Sequence, residues 1–416
     1  MKHPPRRPYI PPVTKIELSE HKTGLRMVLI VLCLIVGGVA LGHALTGVLN
    51  GESGWQTVEI SATERNHSEE ITFQYNFGAT GAASSEERRQ LSSLYTEVME
   101  HAYRIFTVDE AVDTADNLYA VNAAVNQPVK VDPVLYRALE KIVRHNSRYL
   151  YLAPINDEYD RVFLSQTEEE AAGYDPTRGG EAGEYVAQLA GFVSDPAHID
   201  LLLMEDSQVQ LNVSEEYLAF AQEYEITTFL DLGWMRNAFI VDYVADSAAE
   251  KGFTRGYVAS YDGFTRNLDS SGDYSINLFI REGKDLYLPA QMDYDRPISM
   301  VIFRDYPVSE RDRWHFFAYS DGSFTTAYLD PADGMSKSSI HGLTVYSYEE
   351  SCADVMLRAA PCFIADQLPE EALARLKESG VFSVWNEGMT VCWNDSERNL
   401  MLNEDNGALF TARLSE

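Results

Sequence analysis

The sequence predicts a mixed α/β domain carried behind one apolar membrane segment, and three observations predict it. Residues 230–264, LDLGWMRNAFIVDYVADSAAEKGFTRGYVASYDGF, read as a short strand, a turn at Gly233, an amphipathic helix and a second strand. Alternating runs broken by Asp262-Gly263, Asp321-Gly322 and Asn406-Gly407 read as strands joined by tight turns. Met27 to Leu49 are 23 residues without Asp, Glu, Lys or Arg, enough to cross a ~30 Å hydrocarbon layer.

The membrane segment sets the orientation. Lys2, Arg6, Arg7, Lys15, Lys22 and Arg26 precede it, and no Lys or Arg follows until Arg65. That asymmetry places a Pro-rich basic tail (1–26) in the cytoplasm and everything after the helix (27–49) outside the cell membrane. A cleaved signal peptide is the alternative. A linker (50–66) then leads into one body, 67–416, without repeats or low-complexity stretches. The chain carries 33 Lys and Arg against 64 Asp and Glu, a formal charge of -31, which argues against nucleic acid or anionic lipid as partners of the body. Four cysteines lack the spacing of a structural zinc site.

Within the body, Ile71 to Phe77 alternates as a strand, and Ser84 with Glu87 has the spacing of a capping box. Leu91, Leu94, Tyr95, Val98, Ala102 and Ile105 form the buried stripe of the helix that follows. Asp132 caps a second helix whose first position is Pro133. Residues 156–200 are acidic and contain glycine, which predicts a surface excursion with one short helix. Leu201 to Met204 and Gln208 to Val213 predict a hairpin, with Ser214 capping the next helix. In the 230–264 stretch, Phe239, Ile240, Tyr243, Val244 and Ala248 share one helix face, and Gly252 ends that helix. Farther on, His341 to Ser347 predicts a strand, Ser351 opens a helix to Ala360, and Gly380 stops a helix begun at Glu370.

Asp231-Leu232-Gly233, Asp242, Gly252 and the Asp262-Gly263 turn resemble the DLGGIAKGYAVD…G…GGD signature of the FAD:protein FMN transferases, the ApbE-like family. Leu329-Asp330-Pro331 with Gly334 is similar to the family's DPrTG element, and Cys352-Ala353-Asp354 to its ADalaT block. The resemblance runs from about Ile71 to Asp395 and implies an ApbE-like two-lobed fold. It implies FAD as cofactor, Mg²⁺ on the phosphates, and FMN transfer to a threonine of an acceptor protein. It places Tyr119, Asn122, Asp231, Gly233, Tyr261, Asp262 and Gly263 around the flavin. Asn237 and Asp330 take the catalytic positions, and Asp354 with the backbone carbonyl of Arg236 the metal positions.

The chain departs from the pattern at chemical positions. The family's lysine-glycine pair is Asn237-Ala238, its histidine is Ala327, and its metal-binding threonine is Arg358. Asp354 and Arg358 stand at i, i+4, a spacing at which they pair with each other rather than share a cation. His315 lies a strand away from Ala327 and reads as structural. These changes point to an extracytoplasmic, membrane-anchored relative that has lost transfer and retains at most flavin, nucleotide or protein binding. An active transferase and a surface protein without a small ligand are the alternatives.

Overall fold

The computed structural model describes residues 53–60, 66, 69–79, 83–112, 116–283, 285–404 and 409–415. The predicted membrane segment and the Asn406-Gly407 turn lie outside these residues. Among the described residues no helix is long and apolar enough to cross a membrane.

In chain order the first half comprises β1 (Gly54–Thr57), β2 (Ile71–Phe77), α1 (Ser84–Phe106), α2 (Leu118–Ala123), β3 (Pro128–Lys130) and α3 (Pro133–Arg144). There follow α4 (Ala153–Leu164), α5 (Glu168–Tyr174), α6 (Gly180–Ser194), β4 (Ile199–Met204), β5 (Gln208–Val213) and α7 (Glu215–Glu223). A single 3-10 turn at Gly233–Met235 leads into α8 (Arg236–Glu250). Then come β6 (Gly256–Ser260), β7 (Phe264–Asn267), β8 (Tyr274–Glu282), β9 (Asp285–Tyr294) and β10 (Ile298–Arg304). The chain closes with β11 (Phe316–Ala318), β12 (Phe324–Thr326), β13 (Gly342–Ser347), α9 (Cys352–Phe363), α10 (Glu370–Glu378), β14 (Phe382–Glu387), β15 (Thr390–Trp393), β16 (Leu400–Leu402) and β17 (Thr411–Leu414).

The frame is a sheet in the order β1-β2-β6-β7-β10-β13-β14-β15-β17. Its neighbours run antiparallel except β15 and β17. Alternation on the strands feeds two cores. Val301, Phe303, Leu343, Val345 and Trp385 join the main cluster with helices α1, α8 and α9. Met300, Tyr346, Val384 and Val391 face the other way, against Ile276, Leu278 and Met292 of the small sheet β16-β9-β8.

Local chemistry explains the element ends. Asp132 accepts from Val134 N, Ser214 from Tyr217 N and Ser351 from Asp354 N, as the sequence predicts. The β4–β5 hairpin occupies the predicted residues, with Leu201 opposite Leu211. Gly263 (φ +109°) closes the β6–β7 turn so near β10 that a Cβ would meet the Ile302 carbonyl at 2.5 Å. Only glycine fits there.

Four expectations change. Residues 156–200 fold as α4, α5 and α6, whose Tyr159, Val162, Val186 and Leu189 are core residues rather than parts of a surface excursion. Ser84 and Glu87 form no capping box. Ala83 holds the cap position, and Glu87 instead accepts from Gly78 N at 2.6 Å, tying α1 to the end of β2. The segment before Gly233 is no strand: Asn122 on α2 spans its backbone, taking Phe229 N and Leu230 N and donating to Leu230 O. Arg358 does not pair with Asp354, as described below.

Candidate functional site

The Gly233 turn, the β6–β7 turn and the β11–β12 hairpin converge on one side of the main core. Gly233 takes a left-handed φ of +49°, and a Cβ there would come within 3.0 Å of Asn156 Nδ2. Next to it the family pattern has a second glycine, and this chain has Trp234. The indole is 9% exposed and packs edge-on against Tyr149, Tyr328 and Phe303, with ring centroids 5.5, 5.2 and 6.0 Å away. Between Trp234, Asp262, Arg304, His315, Ala327 and Tyr328 only about 10 Å³ stays open.

What remains is a hollow of about 200 Å³ beside the turn. One wall is α4, through Asn156, Tyr159, Asp160 and Phe163; the other is Trp314, His315 and Ala327. Asp231, Gly233, Trp234 and Arg236 supply the base. The α4 residues were missed from the sequence, although 156, 159, 160 and 163 have the i, i+3, i+4, i+7 spacing of one helix face. A wider groove of about 1110 Å³ between α1 and α8, lined by Leu94, Glu97, His101 and Tyr243, shares no residue with this hollow.

Polar groups at the site are strongly coupled. Arg236 turns its guanidinium to Glu70, at 2.9 and 3.1 Å from the two carboxylate oxygens. Asn237 Nδ2 donates to Asp262 Oδ2 at 2.9 Å, while Asn237 Oδ1 and Asp262 Oδ1 are buried with no hydrogen-bond partner. Burial pushes the Asp262 carboxyl up to about 6 against the help of Ser260 and Asn237. Tyr261 Oη lies 2.8 Å from His315 Nε2. Burial and the nearby Arg236 charge push His315 down to about 4, so its ring is neutral near pH 7. Arg304 is buried and donates to Asp312 at 2.6 Å and to the Tyr261 carbonyl at 3.3 Å. His315 and Ala327 are cross-strand neighbours, since Ala327 N donates to His315 O. The histidine of this site therefore stands opposite the position where the resemblance puts one.

The other predicted residues lie apart. Asn122 spends its amide on the 229–230 backbone, and half-buried Tyr119 sits beside it on α2. Asp330 binds Lys337 Nζ at 2.8 Å and Ala332 N at 2.9 Å. Lys337 also reaches Asp333 at 2.7 Å, so these groups hold the 330–334 turn closed.

Asp354 is the decisive case. It accepts from Lys141 Nζ and Arg144 Nη2, both at 2.6 Å, from Ser351 Oγ at 2.6 Å, and lies 3.1 Å from His145 Nε2. Burial opposes its charge, yet His145, Lys141 and Ser351 outweigh burial and hold the carboxyl far below the usual range. Arg358 points instead to Glu350 at 3.2 Å. The expected Asp354–Arg358 pair is replaced by a cage from the end of α3, two hundred residues earlier. Mg²⁺ is held through one or two carboxylates, with water and phosphate oxygens completing its shell, and here Lys141, Ser351, Arg144 and His145 take up both oxygens of Asp354. The residues at Asp354 do not fit Mg²⁺. The hollow, at about 200 Å³, is smaller than the roughly 300–1,000 Å³ of ordinary ligand pockets.

No protein-family model and no curated protein matches the sequence. Solved structures do. The ApbE protein of Thermotoga maritima superposes with a TM-score of 0.54 at 11% identity, over 80% of this chain and 94% of that one. The flavin transferase ApbE of Vibrio cholerae gives 0.46 at 13%, over 86% and 100%, and the flavinyl transferase ApbE of Pseudomonas stutzeri 0.48 at 16%, over 87% and 98%. The chain therefore has the ApbE-like fold.

Proposed function

We propose that this protein is a non-transferring relative of the flavin transferases, an extracytoplasmic binding protein anchored by residues 27–49, which has given up metal-dependent FMN transfer. The observation that carries this reading is the Asp354 cage: the carboxylate that would bind the cation is neutralised by Lys141, Arg144 and His145. Phosphoryl transfer depends on a cation bridging the phosphates. Trp234, filling the space next to the turn, is the second support. The hollow that remains can take a small molecule or a side chain of a surface partner.

The test is transfer itself. The full chain is incubated with FAD, Mg²⁺ and a threonine-bearing acceptor peptide, and covalent FMN is read by in-gel fluorescence. No labelling at high protein concentration is expected. Labelling lost in Asp354→Asn would overturn the reading in favour of an active transferase. For the anchor, carbonate extraction should leave the chain in the membrane fraction, with the body cleavable by protease added outside. Release by carbonate would remove that part of the proposal.

A further inference from the structure

We propose that the groove between α1 and α8, apart from the Gly233 turn, is an acyl-transfer site in which Tyr243 is the nucleophile, His101 its base and Asp132 the residue that positions the base. The three come from separate elements: His101 lies on α1, Tyr243 on α8, and Asp132 caps α3. Asp132 Oδ2 is 3.1 Å from His101 Nε2, and His101 Nδ1 is 2.8 Å from Tyr243 Oη. A carboxylate oxygen only accepts, so the imidazole proton sits on Nε2 and Nδ1 is left to take the phenol O–H. The other oxygen of Asp132 accepts from Val134 N at 2.7 Å, which fixes the direction of the carboxylate. A nucleophile bonded to a base that a third group orients is the arrangement that activates a hydroxyl. Burial, Asp132 and Glu97 push the Tyr243 phenol up, so it reacts only if a base takes its proton.

The surroundings supply the rest. His101 and Tyr243 line a groove of about 1110 Å³, ample for a substrate, and Leu94, Val98 and Val112 give it an apolar wall. Arg104 lines it too. Its charge acts on the Tyr243 phenol, and its Nε is buried without a hydrogen-bond partner among the described residues. Such a donor suits the oxyanion that forms when a carbonyl is attacked. The lining sets Glu97, Glu100 and Glu250 against Arg104 and Lys251, so an uncharged acyl group is favoured over a phosphoryl group, which would meet like charge. Attack by a phenol, of pKa about 10, on an alkyl ester runs uphill, so the substrate class is a thioester or an aryl ester. In the step, Oη bonds to the carbonyl carbon and its proton passes to His101 Nδ1. The leaving group departs with the bonding electron pair and takes that proton. Water, deprotonated by His101, then cleaves the acyl-tyrosine to a carboxylic acid and the free phenol.

The experiment mixes the detergent-solubilised full chain with p-nitrophenyl acetate, and with p-nitrophenyl phosphate as the phosphoryl probe. A burst of one nitrophenolate per chain, an acetyl group mapped to Tyr243 by peptide mass spectrometry, and no release from the phosphate are expected. Tyr243→Phe should abolish the burst. Asp132→Asn is the sharper variant. Asparagine caps a helix as well as aspartate does, but its amide N–H faces Nε2 and moves the ring proton to Nδ1, which can then no longer accept from Tyr243. Acetylation should slow at least about a hundredfold with half-saturation and Tm unchanged, a split that a merely structural contact would not give. Should Asp132→Asn lower Tm, His101→Gln, which removes the base, decides by the same rate. No burst in the wild type, acetyl groups on lysines alone, a burst that survives Tyr243→Phe, or an unchanged rate in the Asp132 or His101 variant would overturn the assignment. These outcomes are independent of the FMN-transfer assay, since the groove shares no residue with the hollow beside Gly233.

Discussion

Two acidic neighbourhoods of the molecule have opposite fates. At the start of α9, Asp354 is met by Lys141, Arg144, His145 and Ser351. Beside the Gly233 turn, Asp160 and Asp231 face a hollow, and burial raises both carboxyls, opposed at Asp231 by the charge of Arg236, which is itself bound to Glu70. Burial alone does not separate a carboxylate held in its charged form from one whose charge is penalised. The supply of donors does, because it decides whether the charged form is favoured or penalised. In this chain the position that resembles a metal ligand belongs to the first kind.

The largest expected effect comes from Trp234→Ala, which empties the space the indole fills between Tyr149, Phe303 and Tyr328. It should cost about 3–5 kcal/mol in urea unfolding; a loss under about 1 kcal/mol would mean that the indole is not what closes the site.

Asp354→Asn comes next, at about 2–4 kcal/mol, since it strands Lys141 and His145 while Arg144 relaxes into solvent. Its pH dependence has a definite sign. The folded carboxyl ionises far below the unfolded value of 3.8, so the unfolded state binds more protons in between. The stabilisation is therefore full above about pH 4 and drains away on further acidification. A wild type and an Asp354→Asn variant that acid-unfold in parallel would remove the distinction between the two neighbourhoods.

Asp262→Asn should act in the opposite direction. The folded carboxyl is raised from 3.8 to about 6, so the folded state binds the extra proton, and stability falls as pH rises through that window. The variant should gain about 1–2 kcal/mol at neutral pH and nothing in mild acid, read as Tm against pH. A loss at neutral pH would show that the charge is already compensated. The smallest effect belongs to Arg358→Thr, which breaks a half-exposed pair with Glu350 and should cost under about 1 kcal/mol. It restores the family's threonine yet should create no Mg²⁺ binding, because the cage around Asp354 does not involve Arg358.

Most of the frame was legible in the sequence because short-range chemistry sets it. Asp132, Ser214 and Ser351 cap their helices through side-chain oxygens two or three residues from the bonded N–H. Gly252 and Gly380 adopt the positive φ that ends a helix. The helices of residues 153–194 were hidden because their acids and glycines outweighed the apolar stripe of Ile155, Tyr159, Val162 and Phe163, which the core then uses. The partners of Asp354 were beyond reach for another reason. Arg358 is the near neighbour by spacing, whereas Lys141, Arg144 and His145 come from α3 and meet Asp354 only once the chain has folded. Asp262 meets Asn237 through a hydrogen bond between separate motifs, and the Glu70–Arg236 pair and the α4 wall, contributed by distant segments, were not foreseen.

The most direct measurement is calorimetric titration of Mg²⁺ into the wild-type chain and its Asp354→Asn variant. The cage predicts indistinguishable isotherms with no saturable binding in either. Micromolar Mg²⁺ binding in the wild type that disappears in the variant would contradict it, because Asp354 would then be a metal ligand after all.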